Sequence, residues 1–463
     1  MLLTFVALYL LLTLAIGFWA GRQVHDTRDF VVAGRKMPLF VSASAMFATW
    51  FGSETLMGAP SVFVEHGVIG IIEDPFGAAL CLVLVGALVA RPLYRMNILT
   101  FNDFYRMRFG RAAEIVSALF MIPSYLGWIA GQMVAMAVVL QVLLGMPMSW
   151  GIISCTVVVV IYTYVGGMWA VSITDFVQTV MIIIGITALA WQVTEEVGSP
   201  AAVLATQPPE FYRFFPEWDL DHIVHWIAAW ITIGLGSIPG QDVFQRVMSA
   251  KDEKTAVRSG YLSGLMYLTI GFIPLYIGLC AKVLHPELID GDNQALLPAM
   301  TLKYSGLTVQ VLFFGAVLSA ILSTTSGAIL APATVLGENL VKPIVGTMSD
   351  RQLLFTMRLG VVVIAAGSML MAMSGSTIFE LVAQSSALSL VSLFVPLMSG
   401  LYWKRATGLG AIMSMSAGMG AWLLCEFVWP TEWPSLIHGL WVSFVAMLIG
   451  SYWPKRPATV LAD

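Results

Sequence analysis

Runs of about twenty apolar residues recur along the whole chain, and the basic residues between them collect in every second gap. Taking ~20 apolar residues as one bilayer crossing, thirteen spans are expected: a lead helix near 2–20, then 38–63, 67–91, 113–142, 149–165, 169–195, 223–248, 257–283, 308–337, 354–374, 377–401, 409–427 and 436–453. With the N-terminus outside, the inner loops hold Arg22, Arg28, Arg35 and Lys36; Arg91, Arg95, Arg106, Arg108 and Arg111; Arg246, Lys251, Lys254 and Arg258; Lys342, Arg351 and Arg358; Lys404 and Arg405; Lys455 and Arg456. Of the 23 basic residues only Arg213, Lys282 and Lys303 fall elsewhere, in or beside the two long outer segments 196–222 and 284–307, where Asp219, Asp221, Asp290 and Asp292 also lie. One span more or fewer would exchange the sign of the later loops, so the pattern predicts a multi-pass protein of the plasma (inner) membrane with its C-terminus in the cytoplasm.

Composition narrows the class further. Charged residues make up 11% of the chain and hydrophobic ones 58%, far from the ~25% charged of a soluble domain. No basic patch points to nucleic acid, and no glycine loop of the nucleotide-binding type is present, so ATP-driven transport by this chain alone is not expected. Cys81, Cys155, Cys280 and Cys425 sit in apolar runs and read as small buried hydrophobes. Residues 2–20 lack the basic start of a signal peptide and read as a retained span. An all-α transmembrane protein of one domain, 1–463, without enzymatic chemistry, is the expectation.

Two of the spans carry residues that an intact lipid-facing helix does not use. Ala48-Thr-Trp-Phe-Gly-Ser-Glu-Thr-Leu-Met-Gly-Ala-Pro60 places Gly52, Gly58, Pro60 and the carboxylate of Glu54 at bilayer depth. Five spans later, Gly234-Leu-Gly-Ser-Ile-Pro-Gly-Gln241 interrupts a second helix. Freed backbone groups in a membrane must be satisfied by protein, water or ligand. Two discontinuous helices at corresponding places in two five-helix halves point to an inverted-repeat transporter with its site between the breaks. A kinked helix with a water-satisfied Glu54 is the alternative.

The run Gly166-Gly-Met-Trp-Ala-Val-Ser-Ile-Thr-Asp-Phe-Val-Gln178 resembles the signature of the sodium:solute symporter family. Ala48-Thr-Trp-Phe-Gly52 and Gly236-Ser-Ile-Pro-Gly-Gln-Asp-Val-Phe-Gln-Arg246 are most similar to high-affinity choline carriers and their bacterial relatives. The resemblance implies a LeuT-type core of five plus five inverted helices, with a first repeat at about 38–195, a second at about 223–401, the lead helix before them and two further helices at about 409–453. It implies a sodium site of the Ala48 and Phe51 carbonyls with Ala320, Ser323 and Thr324. Neutral oxygens of this kind suit a hard monovalent cation, although Ser and Thr also serve as packing residues in membranes. A second family sodium site is matched by Asp175 and Ser326, but Gly327 stands where a second serine belongs; Asp175 then reads as a gating or hydroxyl-pairing group.

The substrate is less determined. A choline carrier holds its quaternary ammonium among aromatic faces, and Trp50 matches one such position, whereas Gly240, Gly131 and Ala78 stand at others. In their place the chain offers Glu54, Glu73 and Asp74, with Trp128, Gln132 and Trp230 nearby, a set suited to a primary or secondary amine. The expected pocket is Trp50, Glu54, Asp74, Trp128, Gln132 and Gly240. The predicted function is a sodium-coupled symporter that imports a small polar organic solute, an amino acid, an amine or a quaternary amine, by alternating access, with Na⁺ as co-transported ion and no organic cofactor. Its partners are then the solute, sodium and the lipid bilayer, without nucleic acid. A transporter-like sensor working with a signalling partner, a proton-coupled carrier and a passive channel are the alternatives.

Overall fold

The computed structural model describes residues 1–22, 31–289 and 293–453; Arg28, Asp290, Asp292, Lys455 and Arg456 lie outside them. Those residues form helices α1 (Leu2–Gly21), α2 (Leu39–Trp50), α3 (Ala59–His66), α4 (Val68–Met96), α5 (Arg111–Leu144), α6 (Met148–Val197), α7 (Leu220–Gly236), α8 (Gln241–Ser249), α9 (Glu253–Leu284), α10 (Leu307–Val345), α11 (Asp350–Ala372), α12 (Ile378–Tyr402), α13 (Gly408–Val428) and α14 (Ser435–Tyr452). Nine of the described helices are long and apolar enough to cross a membrane, ten with the bent pair α7–α8 counted as one. By that measure the number falls short of the expected thirteen. Leu39–Trp50 and Met148–Tyr164 are shorter apolar helices.

Helix starts follow local chemistry. Asp219 and Asp252 cap α7 and α9 by accepting from the His222 and Thr255 amides. Ser349 with Gln352, and Thr377 with Glu380, form capping boxes at α11 and α12, satisfying amides that have no partner within their own helix. The 50 residues of α6 would extend ~75 Å as one straight rod, more than two hydrocarbon thicknesses. The Tyr162 hydroxyl nevertheless lies beside Thr174, a separation of ~18 Å along a straight axis, so the helix bends between them and serves as two segments.

The main apolar cluster of the core runs from α1 to α14, with a small separate one at Val391, Met419 and Trp422. Within it α2 packs on α6 and α9, α6 on α10, α5 on α11 and α12, and α7 on α12 and on residues 72–77 at the head of α4, whereas α13 and α14 pack chiefly on each other. A short parallel bridge joins the entrance of α2 to the exit of α8: Met37 N donates to Ser249 O at 3.0 Å and Lys251 N to Met37 O at 2.9 Å. Tyr94 adds a hydroxyl bond to Ala250 O at 2.9 Å.

Candidate functional site

The first break is a diversion of hydrogen bonds. Phe51 N still reaches Phe47 O at 3.0 Å, but Gly52 N turns to Trp50 O at 2.7 Å, leaving Ala48 O outside the helical ladder. That carbonyl accepts instead from Thr324 Oγ1 of α10 at 2.9 Å. Ser53 N gives its proton to Gln132 Oε1 of α5 at 3.2 Å. Buried backbone polar groups must be paired, and here two side chains from distant helices do it. A Cβ on residue 52 would stand 3.0 Å from that same Gln132 oxygen, which explains the glycine. The chain then resumes through one widened turn, with Ala59 N on Glu54 O, and enters α3 with Pro60 in its first turn, where proline's missing donor is tolerated.

The second break bends α7 away from α8 by 49° at residues 237–240. Gly236 lies against α12 so closely that a Cβ would come within 2.4 Å of Ser386 O. Asp242 sits in the first turn of α8, 3% exposed. It is held from two sides: Trp50 Nε1 donates to Oδ2 at 3.2 Å, and the Tyr125 hydroxyl donates to Oδ1 while accepting from Asp242 N at 3.0 Å.

Between the two breaks lies a cavity of about 50 Å³, room for a few waters at the ~10–15 Å³ each needs. Glu54 and Asp242 contribute carboxylates to its wall; Trp50, Tyr125 and Trp128 contribute rings; Ser237, Ser385 and Ser389 contribute hydroxyls. No basic side chain is among the lining residues. Glu54 is 4% exposed, has Trp128 as its hydrogen-bonding neighbour, and leaves Oε2 without a partner. A second, larger cavity of about 420 Å³ is lined by Glu73, His225, Glu426, Glu432 and Trp433 among others.

Beside the first break, α6 and α10 interlock through the Thr-Asp-x-x-Gln run. Asp175 Oδ1 accepts from Ser323 Oγ at 2.7 Å and Gln178 Nε2 donates to Ser319 Oγ at 2.7 Å. These are i,i+3 positions meeting i,i+4 positions, the spacing that brings two helix faces together. Arg246 of α8, 1% exposed, stands 3.8 Å from Asp175 Oδ2. A Cβ on residue 327 would lie 2.9 Å from Arg246 Nη2, so the glycine makes room for the guanidinium. Arg246, expected in an inner loop, is instead inside the protein.

Two of the expected cation ligands meet directly. Ala48 O meets Thr324, Ser323 lies against Asp175, Phe51 (φ −73°, ψ 67°) has left the helix, and Ala320 is buried one turn before Thr324. Ser326 is buried on the same helix. Of the expected pocket, Trp50, Glu54, Trp128 and Gly240 line the cavity. Asp74 and Gln132 do not: Gln132 serves the backbone of the break, and Asp74 Oδ2 accepts from Thr55 Oγ1 at 2.7 Å on the other side of it. Glu73 lines the second cavity. The sequence reading missed Asp242, Tyr125 and the α12 serines. Asp242 had a legible signal, being a carboxylate one turn past a Pro-Gly break.

The profile of the sodium:solute symporter family matches residues 30–418. The high-affinity choline transporter 1 of Drosophila melanogaster is 29% identical over 429 residues, 86% of this chain and 66% of that protein, so the chain spans just under two thirds of its length. The osmoregulated proline transporter OpuE of Bacillus subtilis (strain 168) is 27% identical over 475 residues, 98% of this chain and 95% of that one. Among solved structures, the substrate-bound outward-open state of a Na⁺-coupled sialic acid symporter superposes with a TM-score of 0.85 at 18% identity, covering 100% and 99% of the two chains.

Proposed function

The chain belongs to the sodium:solute symporter family, and on that premise we propose that it imports a small organic cation together with Na⁺, the cation's nitrogen resting between Glu54 and Asp242. The carrying observation is the cavity wall: two carboxylates, three aromatic rings and no basic side chain. Ring faces and carboxylates both attract a cation, whereas an anion would meet two like charges in a poorly solvated space. The unpartnered Glu54 Oε2 calls for a hydrogen-bond donor, which favours an amine bearing hydrogen over a quaternary ammonium. The choline and proline carriers among its relatives both handle a nitrogen-centred positive charge.

Sodium is assigned to the Ala48 and Phe51 carbonyls, the Ala320 carbonyl and the Ser323 and Thr324 hydroxyls. The first helix break supports this, because it releases a carbonyl that a hydroxyl on α10 already faces. The N-terminus is outside, so the second cavity opens outward, and the two repeats run over about 38–195 and 223–401, each with its broken helix at the start. The basic residues of alternate loops support that orientation.

A thermal-shift screen of the purified protein against primary and secondary amines, choline, proline, sialic acid and sugars, with and without Na⁺, tests the assignment. Stabilisation by amines only when Na⁺ is present is expected. Stabilisation by sialic acid or a sugar with none by amines removes the amine reading; a shift that is the same in K⁺ removes the sodium assignment.

A further inference from the structure

Among the described residues, four carboxylates lie deep in the helical core, Glu54, Asp74, Asp175 and Asp242, each 4% exposed or less, and the one base beside them is Arg246. The remaining buried pair, Arg108 and Glu114, is apart: Arg108 donates to the carbonyls of Gly400 and Trp403, and Glu114 accepts from Asn339. Four acids against one base leave three positive charges wanting, and an uncompensated charge in such a place is expensive. Under the reading above, Na⁺ and the amine supply two. That count rests on the proposed function; the local geometry at Asp74 does not.

Asp74 is the carboxylate no cation yet described can serve. It is fully buried at the head of α4 and outside the cavity. Oδ2 takes the Thr55 hydroxyl at 2.7 Å, and Thr55 in turn stands 2.6 Å from the Tyr267 hydroxyl, forming a short chain of hydroxyls ending on the acid. Among the described residues no donor reaches Oδ1. The titratable groups that bear on it are acids or phenol: Glu54 from the widened turn, Glu73 beside it in the chain, and Tyr267 from α9. The α7 helix packed against it carries no acid or base inward of His225, and the 78–84 segment of α4 carries only Cys81. One hydroxyl is far from the several oxygens a sodium ion requires, whereas a proton needs only the free oxygen. Glu73 lines the second cavity, so an approach from outside ends one residue away.

We propose that Asp74 is a proton-binding site, separate from the sodium and substrate positions: a hydronium ion entering by the second cavity gives its proton to Oδ1 and leaves water, and the acid becomes neutral. The chain then carries a third cation in its loaded state. Infrared spectroscopy of the purified protein in lipid nanodiscs, without substrate, reads this directly. The carbonyl stretch of a buried carboxylic acid is expected at neutral pH, bleaching as the pH is raised. It should be lost in Asp74→Asn and retained in Glu54→Gln. Should Asp74→Asn fail to fold, Asp74→Glu replaces it, and the band should move to the glutamic-acid frequency. A band that Asp74→Asn leaves unaltered, or no acid band at any pH, overturns the proposal. Because neither amine nor sodium enters the measurement, its failure is distinct from failure of the amine reading.

Discussion

Replacing Glu54 by glutamine should move two measurements in opposite directions. Glu54 is buried, its Oε2 has no donor, and its acidic neighbours are Asp74 and Asp242. An unsatisfied buried polar atom costs ~1–3 kcal/mol, and more when charged. Glutamine keeps the shape and removes both the charge and its repulsion by the Asp242 carboxylate. The unliganded protein should therefore unfold at an equal or higher temperature. Binding should move the other way, since truncating one partner of a buried charged pair costs ~2–5 kcal/mol, which is about 30-fold to several-thousand-fold in affinity for the stabilising amine. Paired thermal ramps and a titration of the amine in saturating Na⁺ read both. A Glu54→Gln protein that melts lower without ligand, or that binds the amine within threefold of wild type, refutes the reasoning: the carboxylate would then be serving the fold or a proton.

Thr324→Ala removes a hydroxyl from the proposed sodium position and leaves Ala48 O without its donor; at ~1.5–3 kcal/mol for a bond to a charged group, the Na⁺ concentration for half-maximal uptake should rise at least tenfold, and Thr324→Ser should restore it. Asp175→Asn strands the buried Arg246 without its carboxylate, and uptake assays should show turnover falling more than initial substrate binding; an unchanged maximal rate would make the residue a packing feature. Gly236→Ala drives a Cβ to 2.4 Å from a backbone oxygen, whereas Gly327→Ala meets the movable end of Arg246 at 2.9 Å, so the first should abolish uptake and the second reduce it only a few-fold. Similar losses in both would show that neither glycine is chosen for close approach.

Much of this architecture was written in local chemistry. Glycine and proline inside apolar runs located both breaks, with a carboxylate at the first, and the family resemblance implied that Ala48 and Thr324 belong together, as their hydrogen bond has them. What could not be read was how the breaks are completed. Gln132 looked like a pocket residue because it lies on the right helix at the right depth; its actual partner is an amide that exists as a free donor only because Gly52 N has gone elsewhere. Tyr125 is 117 residues from the carboxylate it holds, and the α12 serines reach the cavity only through the close approach at Gly236. Such contacts depend on which helix faces which, and periodicity within one helix carries no record of that. The aromatic wall was read in part: Trp50 and Trp128 were expected and line the cavity, whereas glycine or alanine at 131, 240 and 78 suggested few further rings and Tyr125, from an earlier turn of α5, was missed.

The bridge between Met37 and Ala250 constrains the motion available to the two broken helices. Met37 leads into α2 and Ala250 follows α8, and two backbone bonds with the Tyr94 hydroxyl clasp them. Backbone bonds at ~0.5–1.5 kcal/mol each are weak enough to break in a turnover but strong enough to bias its path. Tilting α2 alone forfeits them; tilting α2 and α8 together does not. The lower-energy stroke is then a single hinged arm carrying Arg246 along with the Ala48 carbonyl, so that the ion's ligands and the guanidinium beside Asp175 would part from α6 and α10 in one event.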